Sequence, residues 1–166
     1  SRATPLHFAA ENGYVGAINA LLAHHAAVEA GTEEQWTPLH WAAWNGHVDA
    51  INALLAHHAA VDARIINRAT PLHLAAENGQ AGAITALLAG GADIEARNQS
   101  GKTPLAAVRG QEAIAILRAA QEARARARAA AAGDAGQPAR RPAPEDSEGA
   151  EGAAGSASAA KRARGK

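Results

Sequence analysis

The sequence predicts an all-α solenoid of stacked helix-turn-helix units with short finger loops, followed by a disordered C-terminal tail. Three observations carry that expectation. A phrase recurs at a fixed interval, Thr4-Pro5-Leu6-His7, Thr37-Pro38-Leu39-His40 and Thr70-Pro71-Leu72-His73, and Thr103-Pro104-Leu105 closes the series. Every interval is 33 residues, a period that marks a solenoid or an array rather than a single globular core. Each of the three full phrases runs into two alanines and then Asn-Gly, at Asn12-Gly13, Asn45-Gly46 and Asn78-Gly79. An apolar triplet follows at helical spacing: Ile18, Leu21 and Leu22, then Ile51, Leu54 and Leu55, then Ile84, Leu87 and Leu88. One such stripe has value only when neighbouring units cover it.

The elements follow in order. Pro5, Pro38, Pro71 and Pro104 stand where a first helical turn tolerates proline, each after a threonine suited to cap it. The paired alanines leave one helix face nearly bare, so neighbouring helices can approach closely. Gly13, Gly46 and Gly79 end the first helix of each unit, glycine being the residue favoured just past a helix end. Residues 17–28 and 50–61 are identical, AINALLAHHAAV, which suggests an internal duplication. In the third unit Ala81 replaces Val15 and Val48, which predicts thinner packing there. Of the fingers, only Asn98-Gln99-Ser100-Gly101-Lys102 contains a glycine. The other two, 32–36 and 65–69, must turn through non-glycine residues at positive φ.

The fourth unit is degenerate. Gly110 arrives two residues early, no histidine follows Leu105, and the second helix runs from about Gln111 into an Ala/Arg stretch ending near Ala132. It reads as a terminal cap. The predicted organisation is a repeat domain over 1–132, with units near 4–36, 37–69, 70–102 and 103–132, and a disordered low-complexity tail over 133–166. Gly, Ala, Pro, Ser and charge in that tail cannot bury enough apolar surface to fold alone.

A T-P-L-H-x-A phrase at this period resembles the ankyrin-repeat family, from about residue 1 to residue 120. The resemblance implies a non-enzymatic protein–protein interaction module that binds a partner protein through its fingers and concave helix face. It also implies structural work for His7, His40 and His73, each tied to Thr4, Thr37 or Thr70 and to backbone of the neighbouring unit. Family members vary at finger positions 33, 34, 36, 66, 67, 69, 99, 100 and 102 and at helix positions 11, 44 and 77. Here the expected partner-binding set is Glu11, Glu33, Glu34, Trp36, Trp44, Ile66, Asn67, Glu77, Gln99 and Lys102.

Composition narrows the alternatives. The 166 residues balance to zero net charge, but residues 1–117 carry six Lys/Arg against ten Asp/Glu and residues 118–166 carry ten against six. An acidic body argues against the repeats themselves touching phosphate. No cysteine is present, so no disulfide or thiolate site exists. No apolar run reaches the roughly 18 residues a membrane helix needs, and no signal peptide opens the sequence. The absence of methionine and the start in mid-repeat read as a piece of something longer, with further repeats upstream and a targeting arm of a larger protein as corresponding expectations.

Histidine chemistry favours structure over metal. Stacked helices lie about 8–10 Å apart, too far for one zinc with bonds of about 2.0–2.1 Å to join His7, His40 and His73. His24-His25 and His57-His58 stand where the family usually places glycine, so residues 25 and 58 are expected in the left-handed cap conformation. No nucleophile elbow, phosphate loop or carboxylate pair suggests catalysis, and no cofactor or small-molecule substrate is expected. Trp41 shares a register with Phe8 and Leu74 and should be half-buried. Trp36 and Trp44 complete a cluster that either shields itself or anchors a partner. In the tail, Lys161, Arg162 and Arg164 resemble a short nuclear-localisation signal, so the expected compartment is cytoplasmic or nuclear. A nuclear or nucleic-acid-associated role through this tail is the alternative function.

Overall fold

The computed structural model describes residues 2–136, and every described element is helix, turn or loop. The expected disorder beyond residue 136, and Lys161, Arg162 and Arg164 with it, lie outside the described residues. Helices α1 (Pro5–Glu11), α3 (Pro38–Asn45), α5 (Pro71–Glu77) and the single turn α7 (Pro104–Ala107) pack side by side in one row. Helices α2 (Val15–Ala23), α4 (Val48–Ala56) and α6 (Ala81–Ala89) form a second row, each also packed on its own partner of the first. The closing helix α8 (Gln111–Gly136) joins the core through Ala113 and Leu117.

The first row is uniform because its caps are uniform. Thr4, Thr37 and Thr70 hold extended backbone (ψ 166°, 166° and 167°), and proline opens the helix that follows. Gly13, Gly46 and Gly79 then turn the chain at φ 70°, 76° and 66°. Glycine is required there twice over. The conformation is left-handed, and a Cβ on Gly79 would stand 2.8 Å from the Arg109 carbonyl oxygen of the next unit.

The core is one continuous strip in which Ile18, Leu39, Ile51, Leu54, Leu72, Ile84 and Leu87 exclude solvent completely. Packing in the third unit is not thinner, contrary to the expectation from Ala81. Ala83, Ile84, Ala86 and Leu87 are all buried, and Gly82 sits so close to Val48 that an added Cβ would lie 2.9 Å from its methyl. Small residues here let the helices close up instead of leaving a gap.

Two polar ladders stitch one unit to the next. His47 Nε2 donates to the Glu11 carbonyl at 3.0 Å and Gln80 Nε2 to the Trp44 carbonyl at 3.3 Å. Donors and acceptors are each 33 residues apart. On the other side of the stack the Glu29 carboxylate accepts from the Ala60 N–H and the Asp62 carboxylate from the Asp93 N–H, at 2.9 and 3.0 Å. The third member, Glu95, accepts instead from Gln121 of α8 at 3.1 Å, while Arg124 pairs with Asp93 at 3.1 Å. Arg124 of this helix is therefore engaged with the repeats.

The closing helix overruns its expected end at Ala132 and reaches Gly136. One glycine in an alanine run weakens a helix by about 1 kcal/mol without stopping it. Every described side chain over 127–133 is exposed.

Candidate functional site

Each finger is a tight turn closed by its own backbone. The N–H of Thr32, Ile65 and Asn98 meets the carbonyl of Trp36, Ala69 and Lys102 at 3.0, 3.1 and 3.0 Å. Gln35 and Arg68 turn at φ 65° where the third finger uses Gly101 at φ 75°. The missing glycines thus leave the turn geometry unchanged and place the cost in two left-handed side-chain-bearing residues. The fingers are also linked to one another: Ile66 N–H donates to the Glu34 carbonyl at 3.2 Å and Gln99 N–H to the Asn67 carbonyl at 2.7 Å. Residues 34, 66, 67 and 99 therefore lie along one hydrogen-bonded edge, with all four exposed.

The repeated histidines anchor those fingers. His7, His40 and His73 are at most 2% exposed. In each, Nδ1 accepts from the N–H of Thr4, Thr37 or Thr70 at 3.0, 3.1 and 3.2 Å, with the threonine hydroxyl 2.9–3.0 Å away. Accepting at Nδ1 leaves the proton on Nε2, which donates to the carbonyl of Trp36, Ala63 or Lys102 at 2.8, 3.1 and 2.9 Å. Burial pushes the His40 imidazole down to about 4, against the opposing pull of the Ala63 and Ala69 backbone. Burial also lowers His73, with the Lys102 carbonyl opposing it. A neutral ring is what this bonding pattern requires, because a protonated Nδ1 would face the threonine N–H as donor against donor.

The tryptophans form a cluster on this same side. Trp36 lies 4.8 Å from Trp41 and 5.8 Å from Trp44 between ring centroids, the second pair edge to face. Its ring also packs on Ile65, Ala69 and Leu74. Trp44 keeps 38% of its surface exposed, and Ile66 on the second finger keeps 61%. Trp41 is half-buried, and its indole N–H is shut off from solvent without a hydrogen-bond partner among the described residues.

A groove of about 500 Å³ opens between α1 and the first finger. Phe8, Trp36 and Trp41 give it an aromatic lining, and Glu11, Glu33 and Glu34 line it with carboxylates. Four of the expected binding residues (Glu11, Glu33, Glu34 and Trp36) are thus brought together, with Trp44 against Trp36 but outside the groove lining. Ile66, Asn67, Gln99 and Lys102 are exposed on the second and third fingers, outside the groove, and Glu77 is half-buried at the end of α5. Phe8 was not among the expected binding residues, yet it is 57% exposed, where Leu74 in the same register is 3% exposed. The 33-residue period was the available signal: Trp36 is the finger residue that covers the later members of this register, and no described finger stands before Phe8.

Among the described residues no three His, Cys, Asp or Glu side chains gather as a metal site, and no helix is long and apolar enough to cross a membrane. No curated protein is similar enough to match the chain. Family models do match. One described as ankyrin repeats (3 copies) covers residues 1–67, and a second, ankyrin repeats (many copies), covers residues 54–106. Repeats of this kind are generally protein–protein interaction modules and generally not enzymes. With the 33-residue period, the two helix rows and the threonine–histidine caps agreeing with those matches, the chain belongs to the ankyrin-repeat family.

Proposed function

We propose that the protein is a non-enzymatic interaction module that docks a partner protein across its fingers and the adjoining ends of α1, α3 and α5. The observation that carries this reading is the half-open Trp36–Trp44 pair beside a row of exposed finger residues. A large aromatic surface left partly open, next to carboxylates, suits a partner that is apolar at its centre and basic at its edge. The tryptophan holds the complex, while Glu11, Glu33 and Glu34 speed encounter and make it salt-sensitive.

Trp44→Ala tests this. The variant should stay folded, with at most a modest fall in thermal midpoint from the lost contact with Trp36, and should lose at least about 2 kcal/mol of affinity for a captured partner. Unchanged affinity with an intact fold would remove Trp44 as the anchor. The charge split supports a second reading, in which the basic C-terminal segment with Lys161, Arg162 and Arg164 directs the protein to the nucleus or to nucleic acid. Binding to duplex DNA that falls steeply with salt and disappears without residues 137–166 would favour it.

A further inference from the structure

We propose that the groove between α1 and the first finger receives the guanidinium of an arginine, carried by a basic segment of the partner protein. This rests on the interaction reading above and specifies the chemistry that one part of the surface selects.

The lining sets the requirement. Phe8, Trp36 and Trp41 present aromatic surface, and Glu11 and Glu34 bring carboxylates to the same volume of about 500 Å³. A purely apolar side chain would fill the aromatic part and strip water from the carboxylates without replacing those hydrogen bonds. An anion would be repelled. A cation over the indole faces is attracted by the ring quadrupole, and the same cation satisfies the carboxylates. The charge of the surrounding body points the same way, since residues 1–117 carry six Lys/Arg against ten Asp/Glu.

Shape separates arginine from lysine. A guanidinium is a flat, weakly hydrated fork that stacks on an indole and offers parallel N–H groups to carboxylates on either side, whereas an ammonium is a compact, strongly hydrated point. The tilted Trp36 and Trp41 rings stand 4.8 Å apart between centroids, so a stacked guanidinium would lie on the groove side of one of them rather than between them. Glu11 comes from the end of α1 and Glu34 from the finger tip, two elements that approach the groove from different sides. The His7 ring floors the site already engaged, Nε2 to the Trp36 carbonyl at 2.8 Å, so the floor is held by the fold before any ligand arrives. Selection here is a matter of one residue in a longer contact, and a single arginine should bind only weakly.

The test uses the full chain with the blocked tripeptide acetyl-Gly-Arg-Gly-amide, read by the three indole N–H resonances, each assigned through its Trp→Phe variant. The Trp36 and Trp41 signals should move saturably and together, with Trp44 moving less. Replacing the arginine with citrulline, the same shape without charge, should weaken binding by roughly tenfold or more, and lysine should fall between them. Glu11→Gln with Glu34→Gln should cause a similar loss while the thermal midpoint stays put. Equal binding by the citrulline or norleucine peptide would overturn the proposal, as would shifts spread evenly over the protein. The broader reading is separable: Trp44→Ala should weaken the protein partner and leave the tripeptide response in place. Loss of the tripeptide response alone, with partner capture intact, would sink the arginine assignment and leave the docking face standing.

Discussion

Residues 17–28 and 50–61 are the same twelve amino acids in two places, and they differ in what surrounds them. Their backbones agree closely. Helices α2 and α4 each end at the equivalent alanine, His24 and His57 cap them at φ −97°, and His25 and His58 turn left-handed at φ 64° and 66°. Their burial does not agree. Ala50, Leu54 and Ala59 are buried, whereas Ala17 is exposed and Leu21 and Ala26 are only partly covered. Only Ile18 and Ile51 are fully enclosed in both. Helix α4 lies between α2 and α6, while α2 has a described neighbour in its row on one side alone. Local sequence thus specifies the helix and its cap, and stacking specifies how much each side chain contributes to stability.

The largest expected effect sharpens that contrast. Leu54→Ala should cost about 3–5 kcal/mol, since the site is closed on all sides and collapses poorly. Leu21→Ala, the same substitution in the same twelve residues, should cost about 1–2 kcal/mol because part of the leucine already meets water. Urea unfolding of the two variants gives the comparison directly, and equal losses would break it.

Acid should act mainly through the interior. The His40 ring titrates at about 4 in the folded protein and at the ordinary 6.5 when unfolded. Between those values the unfolded chain takes up a proton that the folded chain refuses. Stability is therefore full above about pH 6.5, declines as pH falls, and levels off below about pH 4. The total loss from this group is on the order of 3 kcal/mol, at 1.36 kcal/mol for each pKa unit. His73, also lowered by burial, adds to the decline in the same direction. A His40→Gln variant should show a flatter stability profile over that window; an unaltered slope would mean that other groups carry the acid response.

The smallest expected effect should be equal in the two copies. His25→Gly and His58→Gly each relieve a left-handed backbone, with a gain of roughly 0.5–1 kcal/mol after the added freedom of the unfolded glycine chain is subtracted. Both histidines are exposed, and the strain belongs to the turn itself. Unequal gains measured by thermal unfolding would show that stacking reaches even the caps.

Much of this molecule can be read along the chain. The threonine–histidine bond spans three residues and recurs wherever Thr-Pro-Leu-His does, and the left-handed turns at 13, 46 and 79 follow from glycine. Positions 25, 35, 58 and 68 are left-handed without glycine because the flanking helix and finger leave the chain no other way to turn. Glu29, Asp62 and Glu95 keep the 33-residue spacing, yet the bonds of their carboxylates are not legible in it. An exposed acidic residue gives no sign in sequence that the next unit will offer it an N–H.

The tryptophan cluster was legible as a set of residues, but its division of labour was not. Trp36, Trp41 and Trp44 lie close in sequence and on two elements, and only the packing of the first finger against α3 leaves one ring half-open and one indole N–H enclosed. Phe8 makes the same point, sharing a register with buried Leu74 yet standing in solvent. By itself the sequence determined the helices, their caps and their repeat, because those depend on hydrogen bonds and φ preferences within a few residues. Tertiary structure alone decided which faces are covered and where the groove opens, because burial depends on the neighbouring unit, and identical residues meet different neighbours along a stack.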